Sequence, residues 1–577
     1  MRQTLLILLA LLTIGEALWA QKVPVQELIL DNGFRLLMVP RRGDPNVAAG
    51  WIARVGSVNE RPGITGISHL FEHMMFKGTH VIGTQNIAEN LKLIARMDKV
   101  RAELRHEEQA LMTKQRLGEV SDIKDPKVRS ARHNERLAEM ERLNKREKDL
   151  TVKDEFDRIY THAGGSGMNA GTAEDFTVYF INVPANKLEL WFWMESDRLL
   201  NPVFREFYAE RDVVHEERRM RTDSTPTGKF EEMFNAMFWE SSPYAWPVVG
   251  WPSDLEGITR DEALDYFAVN YAPNNLSACL VGDFEPARAV ELARRYFGRL
   301  PRGAREPEPV RTQEMKQLAQ KRMIAYAETK PTVVIRYHTV PEGHKDAYSL
   351  DLLADLLNGQ TGRLYKSLIL QQEVANSASA QQVDQKYEGY FSITGVAKPG
   401  HTPEEVEQAL YKEIEKLQKE LVGPRELQKV KNQNAAGDFR RLQSNFSLMV
   451  QLLVREAYRG WQTINTGPTL RQAVTAEDIK RVATQYFSAE NRTVGLYYTK
   501  QTNAGEEEPG LAGLDDTEKQ HARQLRAAIG HMKIDQVKAM LGQIEQQAAA
   551  APVDKQKLVG VIKKLLTERL RQLEGGK

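Results

Sequence analysis

Two histidines and a glutamate stand close together in the chain, at His69, Glu72 and His73. Apolar residues recur around them at helical spacing: Ile67, Leu70, Phe71, Met74 and Met75. On a helix, His69 and His73 share one face and Glu72 lies beside them. Two neutral imidazoles can bind a divalent metal, and a neighbouring carboxylate can take a proton from water. The segment therefore predicts a catalytic metal site.

A catalytic site of this kind takes three protein ligands and leaves one position for water. The best source of the third ligand is the segment 208–217, which is predicted to be a helix. Within it, Glu210 and Glu217 are two turns apart and share a face. Residue types alone leave the choice of ligand open among His215, Glu216 and Glu217.

The elements before the motif indicate an antiparallel sheet. Residues 27–31 and 34–39 flank Asn32-Gly33, which is a strong hairpin signal, and residues 47–55 read as a third strand. Helices alternate with these strands, which favours an α+β sandwich with helices on one sheet face over a parallel Rossmann sheet. We expect residues 21–300 to form an N-terminal metal-binding domain.

The order of elements recurs in the second part of the chain. Residues 301–309 are proline-rich and charged, as in an interdomain linker, and residues 310–500 are predicted to form a C-terminal domain. A strand at 332–339 precedes a helix, as in the first half. Aligning Gly359 with Gly78 places three residues that cannot bind metal at the motif positions: Leu350, Leu353 and Ala354. The second domain is therefore predicted to be a degenerate repeat.

Two charged segments are expected to be appendages to this core. From about 99 to 156 the chain is rich in Arg, Lys, Glu and Gln, and its spaced apolar residues predict an antiparallel helical hairpin inserted in the first domain. These residues are Leu104, Leu111, Met112, Leu117, Leu137, Met140 and Leu143. An acidic linker at 505–510 precedes a predicted helical extension at 511–577. The charges of the hairpin are expected to form a solvated face.

The first 20 residues have the pattern of a secretory signal peptide, with an apolar run at 5–14 and cleavage predicted after Ala20. No other segment reaches transmembrane length, so no membrane span is expected after cleavage. The single cysteine, Cys279, rules out an intramolecular disulfide and is expected in the core. We expect an exported, periplasmic protein.

Composition narrows the classes of partner. The chain has 79 basic and 78 acidic residues, so no net field would attract nucleic acid or an anionic membrane. Its 577 residues, 41% of them hydrophobic, suit two or more globular domains. Nucleic acid and an anionic membrane surface are therefore not expected as partners.

Ordered segments across residues 25–500 resemble the pitrilysin and mitochondrial-processing-peptidase family of zinc metallopeptidases, which carry an HxxEH motif. They are 69–79 (HLFEHMMFKGT), 167–170 (GMNA), 175–179 (DFTVY), the pair Glu210 and Glu217, and 274–283 (NNLSACLVGD). The resemblance implies two homologous halves of antiparallel sheet covered by helices. The halves would close like a clam around an extended peptide.

The resemblance also implies a role for each matched residue. Three side chains would bind one zinc ion per chain: His69, His73 and Glu217. Glu72 would activate the water, and Glu210 would support the ligands without touching the metal. Asn169 and Ala170 would lie on a sheet edge that captures the substrate as an added strand.

Two features depart from the family pattern. The interval between His73 and Glu217 is roughly twice the usual one, and the inserted hairpin accounts for the additional residues. Because the two ends of such an insertion can lie close together, it need not displace the ligands. Family members that grip substrate with the C-terminal half carry an arginine and a tyrosine where this chain has Ile369 and Asn376. We therefore expect the chain to pair with a related subunit that lacks the metal motif, or with a second copy of itself.

The sequence thus predicts an exported zinc endopeptidase that cleaves peptides or unfolded segments held in extended form. One alternative is a binding or assembly subunit that keeps a structural metal site, with the charged helices as docking arms. Metal-assisted hydrolysis of a non-peptide substrate is a further alternative.

Overall fold

The computed structural model describes residues 22–500, 534–548 and 556–574, and the single positions 518, 522, 525, 529 and 532. The chain divides into two units, Met1–Thr499 and Lys500–Lys577, and both sheets belong to the first. The predicted signal peptide and the predicted acidic linker lie outside the described residues.

A six-stranded sheet forms the N-terminal half of the first unit. Its strands are β1 (Gln26–Ile29), β2 (Arg35–Pro40), β3 (Asn46–Ala53), β4 (Ser166–Thr172), β5 (Thr177–Pro184) and β6 (Leu276–Gly282). Their order is β1-β2-β6-β3-β5-β4, and only β2 and β6 pair in parallel. The predicted hairpin is present as β1 and β2, and Gly33 in its turn has a φ of +90°, which glycine adopts without strain.

A five-stranded sheet forms the C-terminal half. Its strands are β7 (Lys321–Ala327), β8 (Thr332–Thr339), β9 (Ala375–Asp384), β10 (Gly389–Ala397) and β11 (Arg492–Thr499). The order is β7-β11-β8-β10-β9, with β7 and β11 parallel. Read from β9 to β7, it repeats the order β4-β5-β3-β6-β2 of the first sheet. The predicted α+β class with two homologous halves is confirmed.

Helices surround both sheets. In the first half they are α1 (Ile67–Met74), α2 (Ile87–Arg116), α3 (Ala131–Leu150), α4 (Glu155–His162), α5 (Leu188–Leu200), α6 (Phe207–Arg218), α7 (Gly228–Phe238), α8 (Pro252–Gly257), α9 (Arg260–Asn270) and α10 (Pro286–Tyr296). In the second half they are α11 (Ala347–Leu357), α12 (Pro403–Lys419), α13 (Pro424–Gln443), α14 (Asn445–Tyr458), α15 (Thr463–Ala473) and α16 (Ala476–Tyr486).

One helix from each half packs on the sheet of the other half. Helix α14 packs its leucines and Met449 on one face of the first sheet, in a cluster that also buries Cys279. A Cβ on Gly50 of β3 would come within 2.9 Å of the Met449 sulfur. Reciprocally, α7 packs on the second sheet, where a Cβ on Gly495 would lie 3.0 Å from the ring of Phe234. The glycines permit this close packing, which joins the two halves into one unit.

The predicted helical hairpin is confirmed as α2 and α3. Its first helix starts earlier than expected and packs on the core of the first half. Helix α2 begins at Ile87, because its first turns already pack on the core through Ile94 and Met97. Interhelical ion pairs such as Arg136–Glu103 at 2.6 Å join its limbs. The expectation that Leu117 lies on the apolar seam was wrong: its side chain is 70% exposed, at the end of α2.

The described residues of the second unit include two helices, α17 (Ile534–Ala548) and α18 (Gln556–Glu574). They pack on each other through apolar residues that include Val537 and Leu566, both fully buried. This confirms the predicted helical extension. None of the described helices of the chain is both long and apolar enough to cross a membrane.

Candidate metal centre

Helix α1, which carries the motif, is capped from outside the helix. Gly66 precedes it with a φ of +91° and has no side chain that could cap it. The buried carboxyl group of Glu60 takes that role, because the backbone N–H groups of Gly66 and Ser68 donate to it at 2.7 and 2.8 Å. An acceptor at this end of a helix satisfies otherwise unpaired N–H groups. Glu60 thereby fixes the start of the helix from which His69 and His73 project.

We expect Glu60→Ala to lower the free energy of unfolding by on the order of 2–3 kcal/mol, because two buried N–H groups lose their acceptor. Chemical denaturation of the metal-free protein would measure the loss. Glu60→Gln keeps one acceptor oxygen and should lose less. An unchanged denaturation midpoint for Glu60→Ala would refute the capping role.

The structure places Glu217 of α6 beside the two motif histidines. His69 Nε2 lies 3.6 Å from Glu217 Oε1, and His73 Nε2 lies 3.3 Å from Glu217 Oε2. One potential ligand atom from each residue lies within 4.8 Å of the others, and the described part of the chain contains no second group of this kind. Zinc holds such ligands at about 2.0–2.2 Å, so neighbouring donors stand about 3–4 Å apart. Two imidazole nitrogens and one carboxylate oxygen at these separations suit a catalytic zinc.

Glu210 orients His73. His73 Nδ1 and Glu210 Oε1 are 2.9 Å apart, and Lys77 Nζ lies 2.5 Å from Glu210 Oε2. Burial opposes the charged form of Glu210, but the contacts with His73 and Lys77 outweigh it and lower the pKa of Glu210. A charged Glu210 favours the proton of neutral His73 on Nδ1, which leaves the lone pair of Nε2, on the side of Glu217, free to bind a metal.

His69 is in a different environment. Burial is the main cause that lowers the pKa of His69, so its imidazole is held in the neutral form that binds metals. Its Nδ1 is buried and has no hydrogen-bond partner among the described residues. Its Nε2 is the atom that faces Glu217.

Glu72 connects the motif helix to the edge of the first sheet. The hydroxyl of Thr172, the last residue of β4, donates to Glu72 Oε2 at 2.8 Å. β4 ends the strand order and pairs only with β5, so one side of its backbone has no strand partner within the described chain. A free edge of this kind can accept a further strand.

Asn169 and Ala170 lie on this edge strand, where they pair with Phe180 and Tyr179 of β5. Asn169 is exposed, and its Oδ1 accepts a hydrogen bond of 2.9 Å from the backbone N–H of Ala170. The strand register shifts between Ser166 and Asn169. Both residues therefore lie on the edge strand of the first sheet.

Only Glu217 among the three candidate ligands on α6 lies beside the histidines. Glu216 is exposed and pairs with Arg219 at 2.5 Å, while His215 Nε2 lies 3.7 Å from Glu256. Sequence reasoning missed Arg221, whose Nη1 lies 2.5 Å from Glu217 Oε1. Its i+4 spacing from Glu217 was the available signal.

The matching positions of the second half are apolar. Leu350, Leu353 and Ala354 of α11 are buried in the core. Ile369 lies in a π-helical segment, Tyr365–Gln371, and Asn376 lies on β9. These are the features expected of a repeat without metal ligands.

In sequence, the chain is similar to known peptidases. The family model "Insulinase (Peptidase family M16)" matches residues 37–116, which contain the motif, and "Peptidase M16 inactive domain" matches residues 257–434. The zinc protease PqqE of Helicobacter pylori is 26% identical over 83% of this chain and 94% of its own length. An uncharacterized zinc protease of Mycobacterium leprae is 32% identical over 26% of this chain and 34% of its own length.

Solved structures share the fold. A protease from Helicobacter pylori matches with a TM-score of 0.67 at 22% identity, over 82% of this chain and 99% of that chain. The periplasmic protease PqqL of Escherichia coli matches with a TM-score of 0.59 at 16% identity, over 83% of this chain and 48% of that chain. Both halves of the chain thus match models of peptidase family M16, with the motifs in their family order, and the resemblance to the pitrilysin family is confirmed.

Proposed function

We propose that this chain is an exported zinc-dependent endopeptidase that hydrolyses peptides or unfolded segments bound as an extended strand. The observation that carries the proposal is the convergence of His69, His73 and Glu217 next to Glu72, at a free sheet edge. Relatives named zinc proteases support a peptidase. Export is supported by the signal-like N-terminus, and the structural neighbour PqqL is described as periplasmic.

In the proposed mechanism, one zinc ion would be held by His69 and His73 through Nε2 and by a carboxylate oxygen of Glu217. Bound there, zinc would polarise the scissile carbonyl and lower the pKa of a water molecule. Glu72 would accept a proton from the attacking water as the water oxygen bonds to the carbonyl carbon. It would then donate that proton to the amide nitrogen as the C–N bond breaks. Thr172 restrains the Glu72 carboxylate by its hydrogen bond, and Glu210 keeps the His73 ring in one orientation.

The substrate backbone is proposed to pair with β4 along Asn169 and Ala170. Main-chain hydrogen bonds supply affinity in this mode and do not depend on substrate sequence. Because Thr172 of the same strand contacts Glu72, a peptide added to β4 is brought to the general base. Strand β4 would thus both bind the substrate and place it next to the metal centre.

A related subunit without the metal motif is proposed to complete substrate binding. The motivation is that Ile369 and Asn376 replace the arginine and tyrosine by which family members grip substrate. A second copy of this chain is the other candidate partner. Activity of the single purified chain equal to that of any reconstituted pair would exclude the need for a partner.

The test is a cleavage assay on the chain without residues 1–20, using a library of unstructured peptides read by mass spectrometry. We expect cleavage within peptides, its loss with a chelator and its return on adding zinc. The assay is repeated with a metal-lacking relative encoded nearby. Absence of cleavage in both forms, with zinc bound, would reject the peptidase and favour the assembly subunit.

A further inference from the structure

Helix α6 presents its two site residues on one face. Glu210, which contacts His73, and Glu217, which lies beside both motif histidines, are two turns apart on it. At 3.6 residues per turn, positions 208, 211 and 215 lie on the opposite side of the helix. The elements that pack against this opposite side therefore determine how α6 is rotated about its axis.

Asp98 of helix α2 contacts the opposite side of α6. The hydroxyl of Tyr208 donates to Asp98 Oδ1 at 3.1 Å, and Tyr208 is buried. Arg260 of α9 lies 3.2 Å from Asp98 Oδ2 and donates to the backbone carbonyl of Val203, ahead of α6, at 2.9 Å. A hydrogen bond to a charged group that is shielded from water is stronger than a surface contact. Asp98 thus joins the start of α6 to α2.

A second contact lies about one turn further along α6. Arg211 donates to the backbone carbonyl of Glu256, in α8, at 2.9 Å, and Arg101 of α2 donates to the same oxygen at 3.2 Å. The Arg211 guanidinium also lies over the Tyr208 ring, 5.6 Å from its centroid, which is within the range of a cation–π contact. Helices α2, α6 and α8 therefore meet at one carbonyl group.

Helix α2 is a firm support because one side of it belongs to the core. Met97, Val100 and Leu104 are each at most 2% exposed and pack in the main apolar cluster of the first half. They lie in the same turns of the helix as Asp98 and Arg101. The first helix of the hairpin is therefore packed on the core and on α6 at once, which corrects the expectation that the hairpin is an appendage.

The rotation of α6 matters because metal binding tolerates little displacement. A glutamate carboxylate lies about 5 Å from the helix axis, so a rotation of about 20° moves it by about 2 Å. Distances between a metal and its ligands vary by only about 0.2 Å. The far end of α6 is held separately by Arg218, which pairs with Glu232 at 2.5 Å and donates to the backbone carbonyl of Gly250 at 3.0 Å. The contacts with α2 therefore act on the first turns, next to Glu210.

We propose that Asp98 is a positioning residue of the metal centre: through Tyr208 it fixes the rotation of α6 and so directs the two site glutamates toward the motif histidines. Arg101 adds the second contact, at α8. This inference rests on the zinc site of the proposed function and does not require that the chain cleaves peptides. It assigns the first helix of the inserted hairpin a role in metal affinity.

Zinc affinity, measured by competition with a chromophoric chelator, tests the role of Asp98. Asp98→Ala should bind zinc about 10-fold or more weakly, which is the usual cost of losing a group that orients a ligand. Asp98→Asn keeps an oxygen that accepts the Tyr208 hydroxyl and should recover most of the affinity. Tyr208→Phe should also weaken binding. The double variant should lose no more than Asp98→Ala alone, because both changes remove one hydrogen bond.

Glu103→Ala is the matched control on the same helix. The Glu103 carboxylate pairs with Arg136 of α3 at 2.6 Å, so its removal breaks an ion pair within the hairpin and leaves the contacts with α6 in place. This variant should keep the wild-type zinc affinity. With cobalt(II) in place of zinc, the visible absorption spectrum reports the arrangement of the ligands. Asp98→Ala should change this spectrum, whereas Glu103→Ala should not.

Wild-type zinc affinity and an unchanged cobalt spectrum in both Asp98→Ala and Tyr208→Phe would overturn the inference. Fully additive losses in the double variant would also overturn it. So would an equal loss in Glu103→Ala, because the loss would then follow from a weakened hairpin. Tyr208→Phe decides the outcome if Asp98→Ala does not fold, since it removes a single hydroxyl.

Peptide cleavage separates this inference from the proposed function. If the wild-type chain cleaves peptides while Asp98→Ala keeps its zinc affinity, the positioning role is rejected and the peptidase stands. If Asp98→Ala loses zinc affinity but the zinc-loaded wild-type chain cleaves nothing, the positioning role stands and the peptidase is rejected.

Discussion

Glu72→Gln should retain its zinc and lose peptide hydrolysis by on the order of 10²–10⁴-fold, the usual contribution of a general base. Glutamine matches glutamate in size, and its amide oxygen can still accept the hydrogen bond from Thr172 Oγ1 that Glu72 accepts at 2.8 Å. The substitution therefore removes the ability to accept a proton while it preserves the packing around helix α1. The loss should fall on kcat more than on KM, because the missing step follows binding.

The control for this variant is Glu216→Gln. Glu216 is an exposed glutamate on the helix that carries Glu217, and it pairs with Arg219 away from the histidines. Its replacement should leave both zinc content and turnover unchanged. The mechanism is refuted if Glu72→Gln hydrolyses peptides at the wild-type rate with equal zinc content. A loss of zinc in Glu72→Gln would show instead that the carboxylate binds the metal.

The motif part of the site could be predicted from the sequence because its residues lie close together in the chain. His69, Glu72 and His73 lie within one helix, so their relative placement follows from helical periodicity. The strands around them were also predictable, since apolar alternation and the Asn32-Gly33 turn are short-range signals. The recurrence of a strand followed by a helix in the second half was predictable from the same local patterns, but the strand order of its sheet depends on pairing between distant segments.

The remaining part of the site depends on contacts between distant segments. Glu217 could not be separated from Glu216 by residue type, because the two differ only in the direction in which they leave α6. The cap from Glu60 and the hydrogen bond from Thr172 each join segments that no periodicity connects. Composition predicted that the charges of the hairpin form a solvated face, but it does not show that the residues after α3 bond to the backbone of the loop that precedes α2.

Glu217→Ala should weaken zinc binding most strongly among substitutions on α6, because it removes one of three proposed ligands. Its carboxylate is the group that both imidazoles face, at 3.6 Å from His69 Nε2 and 3.3 Å from His73 Nε2. Without it, two neutral nitrogens remain, and the charge of a divalent ion is no longer balanced by a ligand. Competition with a chromophoric chelator would measure the change in zinc affinity.

Two further variants on α6 give smaller expected losses of zinc affinity, with which the Glu217→Ala loss is compared. Glu210→Ala should cost about 10- to 100-fold in zinc affinity, which is typical for loss of a group that orients a ligand. Glu216→Ala should cost nothing, because its carboxylate pairs with Arg219. Glu217→Ala must exceed Glu210→Ala if Glu217 touches the metal and Glu210 acts only through His73 Nδ1. An equal loss in the Glu216 and Glu217 variants would refute the ligand assignment, whereas a larger loss for Glu210 would make Glu210 the ligand.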